Sequence, residues 1–148
     1  MTEKCGKDEI YYHAPVNRCV PKNRPFIGEI VIEHIPDENP DLSFLEEMKG
    51  KDKKWAEHDT KRLANYGNDW AMMGIKVKAE IYIPKKSTPP SWQIQEISSG
   101  GLWGIETDSG DDYINGIEKE EMEDLIDNLK YFKISKKEIK KAPIRYKR

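Results

Sequence analysis

Apolar and polar positions alternate most regularly over residues 74–83. Ile75, Val77, Ala79, Ile81 and Ile83 alternate there with Lys76, Lys78, Glu80 and Tyr82. Period-two alternation turns one set of side chains toward a core and the other toward water, so this segment reads as a strand with one buried face. Residues 26–34 carry Ile27, Ile30, Val31 and Ile32, β-branched side chains on both faces, which predicts a strand partly covered on both sides. Residues 92–97, with Trp92 and Ile94 on one side, predict a third strand. The preceding strand is its expected partner, across a loop too long for a tight hairpin turn. Residues 102–105 add a short fourth.

Helical spacing takes over at residues 118–132. Ile117, Glu121, Met122, Leu125, Leu129 and Phe132 trace one face, and Glu118, Glu120, Glu123 and Asp124 fall mostly on the other. Acids in the first turns and Lys130 and Lys133 at the far end suit the helix dipole. A thinner stripe, Trp55, Ala56, Leu63 and Tyr66, predicts a second helix anchored along one edge. The expected fold class is α+β: a small, mainly antiparallel sheet of three to four strands packed against one or two helices. Its expected core is Ile30, Ile32, Leu63, Ile75, Val77, Ala79, Ile81, Ile94, Leu102, Trp103, Ile117, Leu125 and Leu129. Residues 1–25, with Pro15, Pro21 and Pro25, read as an irregular N-terminal segment, residues 26–132 as a single domain and residues 133–148 as a basic tail.

Composition narrows the class. Of 148 residues, 36% are hydrophobic and 35% charged, so the domain is highly charged with a modest core. No run approaches the roughly 18 apolar residues of a membrane helix, and residues 1–10 lack the apolar stretch of a secretory signal. The expectation is a cytoplasmic protein without membrane contact. Two cysteines are too few for a disulfide framework; Cys5 and Cys19 could still pair in an oxidising compartment, but without a secretory signal they read as reduced thiols. Cys5, His13 and Cys19 lack the close pairing of a zinc site, and no metal or other cofactor is expected.

The formal net charge of −2 hides an asymmetry. Lys133, Lys136, Lys137, Lys140, Lys141, Arg145, Lys147 and Arg148 face only Glu138 within the tail, which leaves the rest of the chain acidic. Lys136, Lys137, Lys140, Lys141 and Arg145 are therefore the candidate nucleic-acid contacts.

Candidate ligand chemistry concentrates between the third strand and the long helix. Residues 98–109, Ser-Ser-Gly-Gly-Leu-Trp-Gly-Ile-Glu-Thr-Asp-Ser, combine glycines, hydroxyls, a Trp and acids. Glycines let backbone N–H groups converge into an anion-binding nest, although neither a phosphate-loop nor a dinucleotide fingerprint is present. Gly100, Gly101, Trp103, Glu106 and Asp108 are the candidate ligand-binding residues. Glu106, beside Ile105, is the one acid placed for an apolar setting that would raise its pKa. No nucleophile arrangement occurs, and His13, His34 and His58 lie in separate segments, so no catalytic residue is assigned. His34 ends a strand and could turn inward.

Pro40 to Glu46, the Trp70 to Ala79 strand, Ser98 to Ser109 and the acidic helix from Glu118 to Leu129 together resemble a family of small uncharacterised proteins of phages and other bacterial mobile elements. The similarity spans roughly residues 26–134, and Ser-Gly-Gly-Leu-Trp-Gly-Ile-Glu is its specific part. The resemblance implies a bacterial or phage cytoplasm and no mechanism. The expected function is a non-enzymatic, macromolecule-binding accessory protein acting on a host or phage component, with a protein partner favoured. The alternatives are a nucleic-acid-binding protein using the basic tail, and a small-ligand or metal-dependent enzyme centred on residues 100–112.

Overall fold

The structure, a computed structural model, describes residue 5, residues 10–46 and residues 53–148. Its elements run β1 (Ile10–His13), β2 (Arg18–Pro21), β3 (Phe26–Pro36), α1 (Ser43–Glu46), α2 (Lys53–Ala64), β4 (Met72–Lys85), β5 (Ser91–Ser98), β6 (Leu102–Glu106), α3 (Asp111–Leu129), α4 (Lys136–Lys141) and β7 (Ile144–Lys147). The fold is α+β, but the sheet has five strands and is mixed, larger than the three to four antiparallel strands expected. Strand order is β5-β4-β3-β7, with β6 also on β4, and β7 runs parallel to β3.

The central strand β4 extends beyond residues 74–83 at both ends, from Met72 to Lys85. Its length lets two strands share one edge: β5 pairs along Lys78–Lys85 and β6 along Met72–Ile75. On one face Ile30 and Ile32 stand beside Ala79 and Val77, and Ile27 beside Ile81. Leu125 and Leu129 of α3 cover this face, joined by Ile134 and Ala142. Met73, Ile75, Ile105 and Ile117 extend the packing toward the start of α3.

The opposite face carries Glu29, Glu33, Lys78 and Arg145 and is stitched by ion pairs: Arg145 to Glu29 at 3.0 Å and Lys78 to Glu33 at 2.8 Å. Trp103 lies on this face, 49% exposed, and Ile94 and Leu102 are exposed as well. These three leave the expected core, because β5 and β6 are edge strands with one uncovered side. Leu63 is only partly buried, against Trp70 and Met72.

Both chain ends depart from expectation. Residues 1–25 contain the β1–β2 antiparallel hairpin, in register from Ile10 opposite Pro21 to His13 opposite Arg18. Val20 packs with Phe26 and Tyr82. Cys5 and Cys19 form a disulfide, with Cα atoms 5.6 Å apart, where reduced thiols were expected. The sulfurs are thus bonded to each other rather than free to hold a metal. The ring of His13 packs 4.5 Å from Trp92, and burial lowers its pKa. Residues 133–148 are no loose tail. They fold into α4 and β7, and β7 completes the sheet.

Of the second predicted helix, the Trp55 and Ala56 side chains lie outside the described residues. Among the described residues no helix is long and apolar enough to cross a membrane.

Candidate functional site

The glycine-rich segment works as a joint between β5 and β6. Ser99 is buried; its N–H donates to the Val77 carbonyl at 2.8 Å, and its hydroxyl oxygen accepts from Val77 N–H at 3.0 Å. The Ser99 hydroxyl donates in turn to Glu121 at 2.9 Å, Gly100 N–H donates to Asp124 at 2.9 Å and the Asn128 amide donates to the Ser98 carbonyl at 3.0 Å. Three side chains of α3 thus clamp Ser98, Ser99 and Gly100. An internal carboxylate already occupies the amide that an anion nest would offer. Gly101 follows at φ +84°, a conformation costly for any residue with a Cβ, and turns the chain into β6.

Glu106 and Asp108 do not converge on Gly100 and Trp103. Arg62, from the last turn of α2, takes both: Nη2 is 2.6 Å from Glu106 and 2.9 Å from Asp108, and Nη1 is 3.0 Å from Asp108. The guanidinium lies 3.9 Å from the Trp70 ring centroid, and Trp70 Nε1 donates to the Arg62 carbonyl at 2.7 Å. Stacking plus a forked ion pair is the geometry arginine suits best. The Arg62 hydrogen bond pulls the Asp108 carboxyl below the usual range, and Asp108 holds the guanidinium proton more tightly in return. Glu106 sits in an ion pair rather than an apolar pocket. Thr107, between the two acids, has its hydroxyl oxygen on Ala71 N–H at 2.9 Å, and its own N–H donates to the Ala71 carbonyl at 2.9 Å.

The basic candidates separate into two groups. Lys136, Lys137, Lys140 and Lys141 stand exposed on α4. The Ser135 side chain caps the helix by accepting from Glu138 N–H. Buried Glu138 pairs with Arg18 at 2.7 Å, and Ile139 and Ala142 pack on the core. Arg18 also donates to the Ile27 carbonyl, which ties α4 to the end of the sheet where β3 begins and β4 ends. Lys85 and Lys86 leave the sheet at that same end. With Lys22 they line a concavity of about 520 Å³ whose lining residues include no acid. Arg145 belongs elsewhere, on the open sheet face with Glu29.

At the other end of the sheet lies a cleft that sequence reasoning missed. Pro36, Met72, Met73 and Ile114 form its apolar wall, and His34, Thr107 and Arg148 its polar side, around about 330 Å³. Behind it, buried Glu118 accepts from His34 Nε2 at 2.9 Å and from Arg148 Nη2 at 2.8 and 3.0 Å. A carboxylate can only accept here, so Nε2 carries the hydrogen and Nδ1 remains the other face of the ring. His34 did turn inward. Glu118, expected mostly on the outer face, belongs to the inner one. The signal was its spacing: Glu118, Met122, Leu125 and Leu129 follow i, i+4, i+7, i+11. Nothing local in the sequence pointed to Arg148, which reaches Glu118 only because β7 enters the sheet beside β3.

No family model, curated protein or solved structure matches this chain. The functional reading therefore stands on the geometry of these sites.

Proposed function

We propose that this protein is a macromolecule-binding accessory protein of the mobile-element kind, and that its basic end engages nucleic acid. The observation that carries the reading is the display of Lys136, Lys137, Lys140 and Lys141 on a helix docked at the end of the sheet where Lys22, Lys85 and Lys86 also gather. Sequence reasoning, from the dense charge, the lack of a catalytic arrangement and the mobile-element resemblance, favours a protein partner. Lys22, Lys85 and Lys86 share one concavity and α4 adds four exposed lysines, and this concentration of cations shifts the balance because phosphates reward it. Lysines on a docked helix also lose less freedom on binding than lysines on a loose tail.

Truncation is a poor test, since removing residues 133–148 also removes β7 from the sheet. Charge reversal on α4 is the better one. Lys136→Glu combined with Lys140→Glu is expected to weaken binding of a fluorescent oligonucleotide by at least about tenfold, with circular dichroism unchanged. Affinity of the unaltered chain should fall with salt, by roughly 0.9 log units per log unit of salt for each phosphate neutralised. Equal affinity of the variant and the unaltered chain would reject the proposal.

A further inference from the structure

The cleft at the opposite end holds a charge arrangement that folding alone does not explain. A buried carboxylate with two partners is seldom a net source of stability. Glu118 nonetheless sits 6% exposed behind an apolar wall, with His34 and Arg148 both turned to it. We propose that this cleft binds a small carboxylic acid with a short apolar body, and that His34 takes up a proton as the acid binds.

Charge and shape both lead to that ligand class. Pro36, Met72, Met73 and Ile114 offer an apolar seat, two of them adaptable methionines. The volume of about 330 Å³ lies at the small end of ligand clefts. The polar side is rich in donors. Arg148 uses one terminal nitrogen on Glu118 and has further N–H groups, and the Thr107 hydroxyl keeps its hydrogen after accepting from Ala71. Glu118 commits both oxygens to His34 and Arg148, so an acceptor must come from the ligand.

Among the described residues, the charges facing His34 are Glu118 from α3 and Arg148 after β7; its neighbour on β4 is Ile75. With His34 neutral, Glu118 and Arg148 cancel. A protonated His34 leaves one positive charge on the cleft, and a bound carboxylate restores neutrality. Protonation and binding therefore reinforce each other reciprocally. Affinity therefore rises as pH falls and the ring gains its proton. It falls again once the ligand carboxylate itself is protonated.

The test is calorimetric titration of the full chain with hexanoate and with hexanol, in two buffers of different ionisation enthalpy, at about pH 6 and about pH 8. Hexanoate is expected to bind saturably, more tightly at the lower pH and with net proton uptake. Arg148→Met should weaken it about tenfold, the scale of one charge-assisted hydrogen bond. His34→Gln should abolish the proton uptake. Ala71→Trp, which alters a side chain lining the cleft while Ala71 meets Thr107 only through its backbone, should block binding. Hexanol binding as tightly as hexanoate, no saturable binding, or undiminished affinity in Ala71→Trp would each overturn the proposal. None of these outcomes bears on the lysines of α4.

Discussion

Trp103 lies against Gly74 so closely that a Cβ built on the glycine would stand 2.5 Å from Trp103 Cε3. A side chain at residue 74 would take the space that the indole occupies over β4. Gly74→Ala is expected to lift the ring off the strand and destabilise the fold by about 1–2 kcal/mol, within the range for overpacking. Fluorescence should report the greater exposure of Trp103. Trp103→Ala should remove most of the Gly74→Ala penalty in a double-mutant cycle, and additive losses would show that the contact is not the cause.

Arg62 joins α2 to the loop between β6 and α3. Arg62→Met keeps much of the side-chain volume but loses three hydrogen bonds to Glu106 and Asp108 and the contact with Trp70. Thermal unfolding should show a loss of about 1–3 kcal/mol, the scale of a charge-assisted network at a partly exposed site. Arg62→Lys should recover little of it, because an ammonium cannot fork across two carboxylates while lying on an indole.

Glu33 carries a pH dependence with a definite sign. The hydrogen bond from Lys78, helped by the nearby Lys147, outweighs burial and lowers the Glu33 pKa in the folded protein. A lowered carboxylate pKa adds stability that is complete above the unfolded value and is lost as pH falls through the folded one. Acid unfolding of Glu33→Gln should therefore show a smaller loss of stability below the ordinary glutamate range. An NMR titration that places Glu33 at or above that range would contradict the expectation.

The Cys5–Cys19 bond closes a loop with a sequence separation of 14. Loops of this size restrict the unfolded chain by about 3 kcal/mol. Cys5→Ser with Cys19→Ser should lower the unfolding free energy by roughly that amount. The loosening should centre on Val20, Phe26 and Tyr82, the cluster nearest the hairpin. Hydrogen exchange would locate it.

Much of this protein can be read from one dimension. The alternation around Val77 and Ala79 identifies the central strand and its buried face, and the spacing of Leu125 and Leu129 identifies the helix that covers it. Those patterns are strong because each side chain repeats a period imposed by its own backbone. Edge positions defeated the same logic. Ile94, Leu102 and Trp103 are as apolar as the core, and only the absence of a covering layer over β5 and β6 leaves them exposed.

The sites were less legible than the fold. Glu106 and Asp108 were visible as acids, yet their partner Arg62 lies more than forty positions away and was not identifiable by spacing. The lysines of α4 were recognised as basic, but their display on a docked helix depends on Glu138, Ile139 and Ala142, which a charge count treats as part of a tail. The sequence by itself determined the central strands and the long helix, the buried face of β4 and where charge is concentrated. Tertiary structure alone decided that β7 enters beside β3, and with it that Arg148 meets Glu118 and His34. Local periods act within a few residues, whereas a charge cluster is assembled by whichever distant strands the sheet brings side by side.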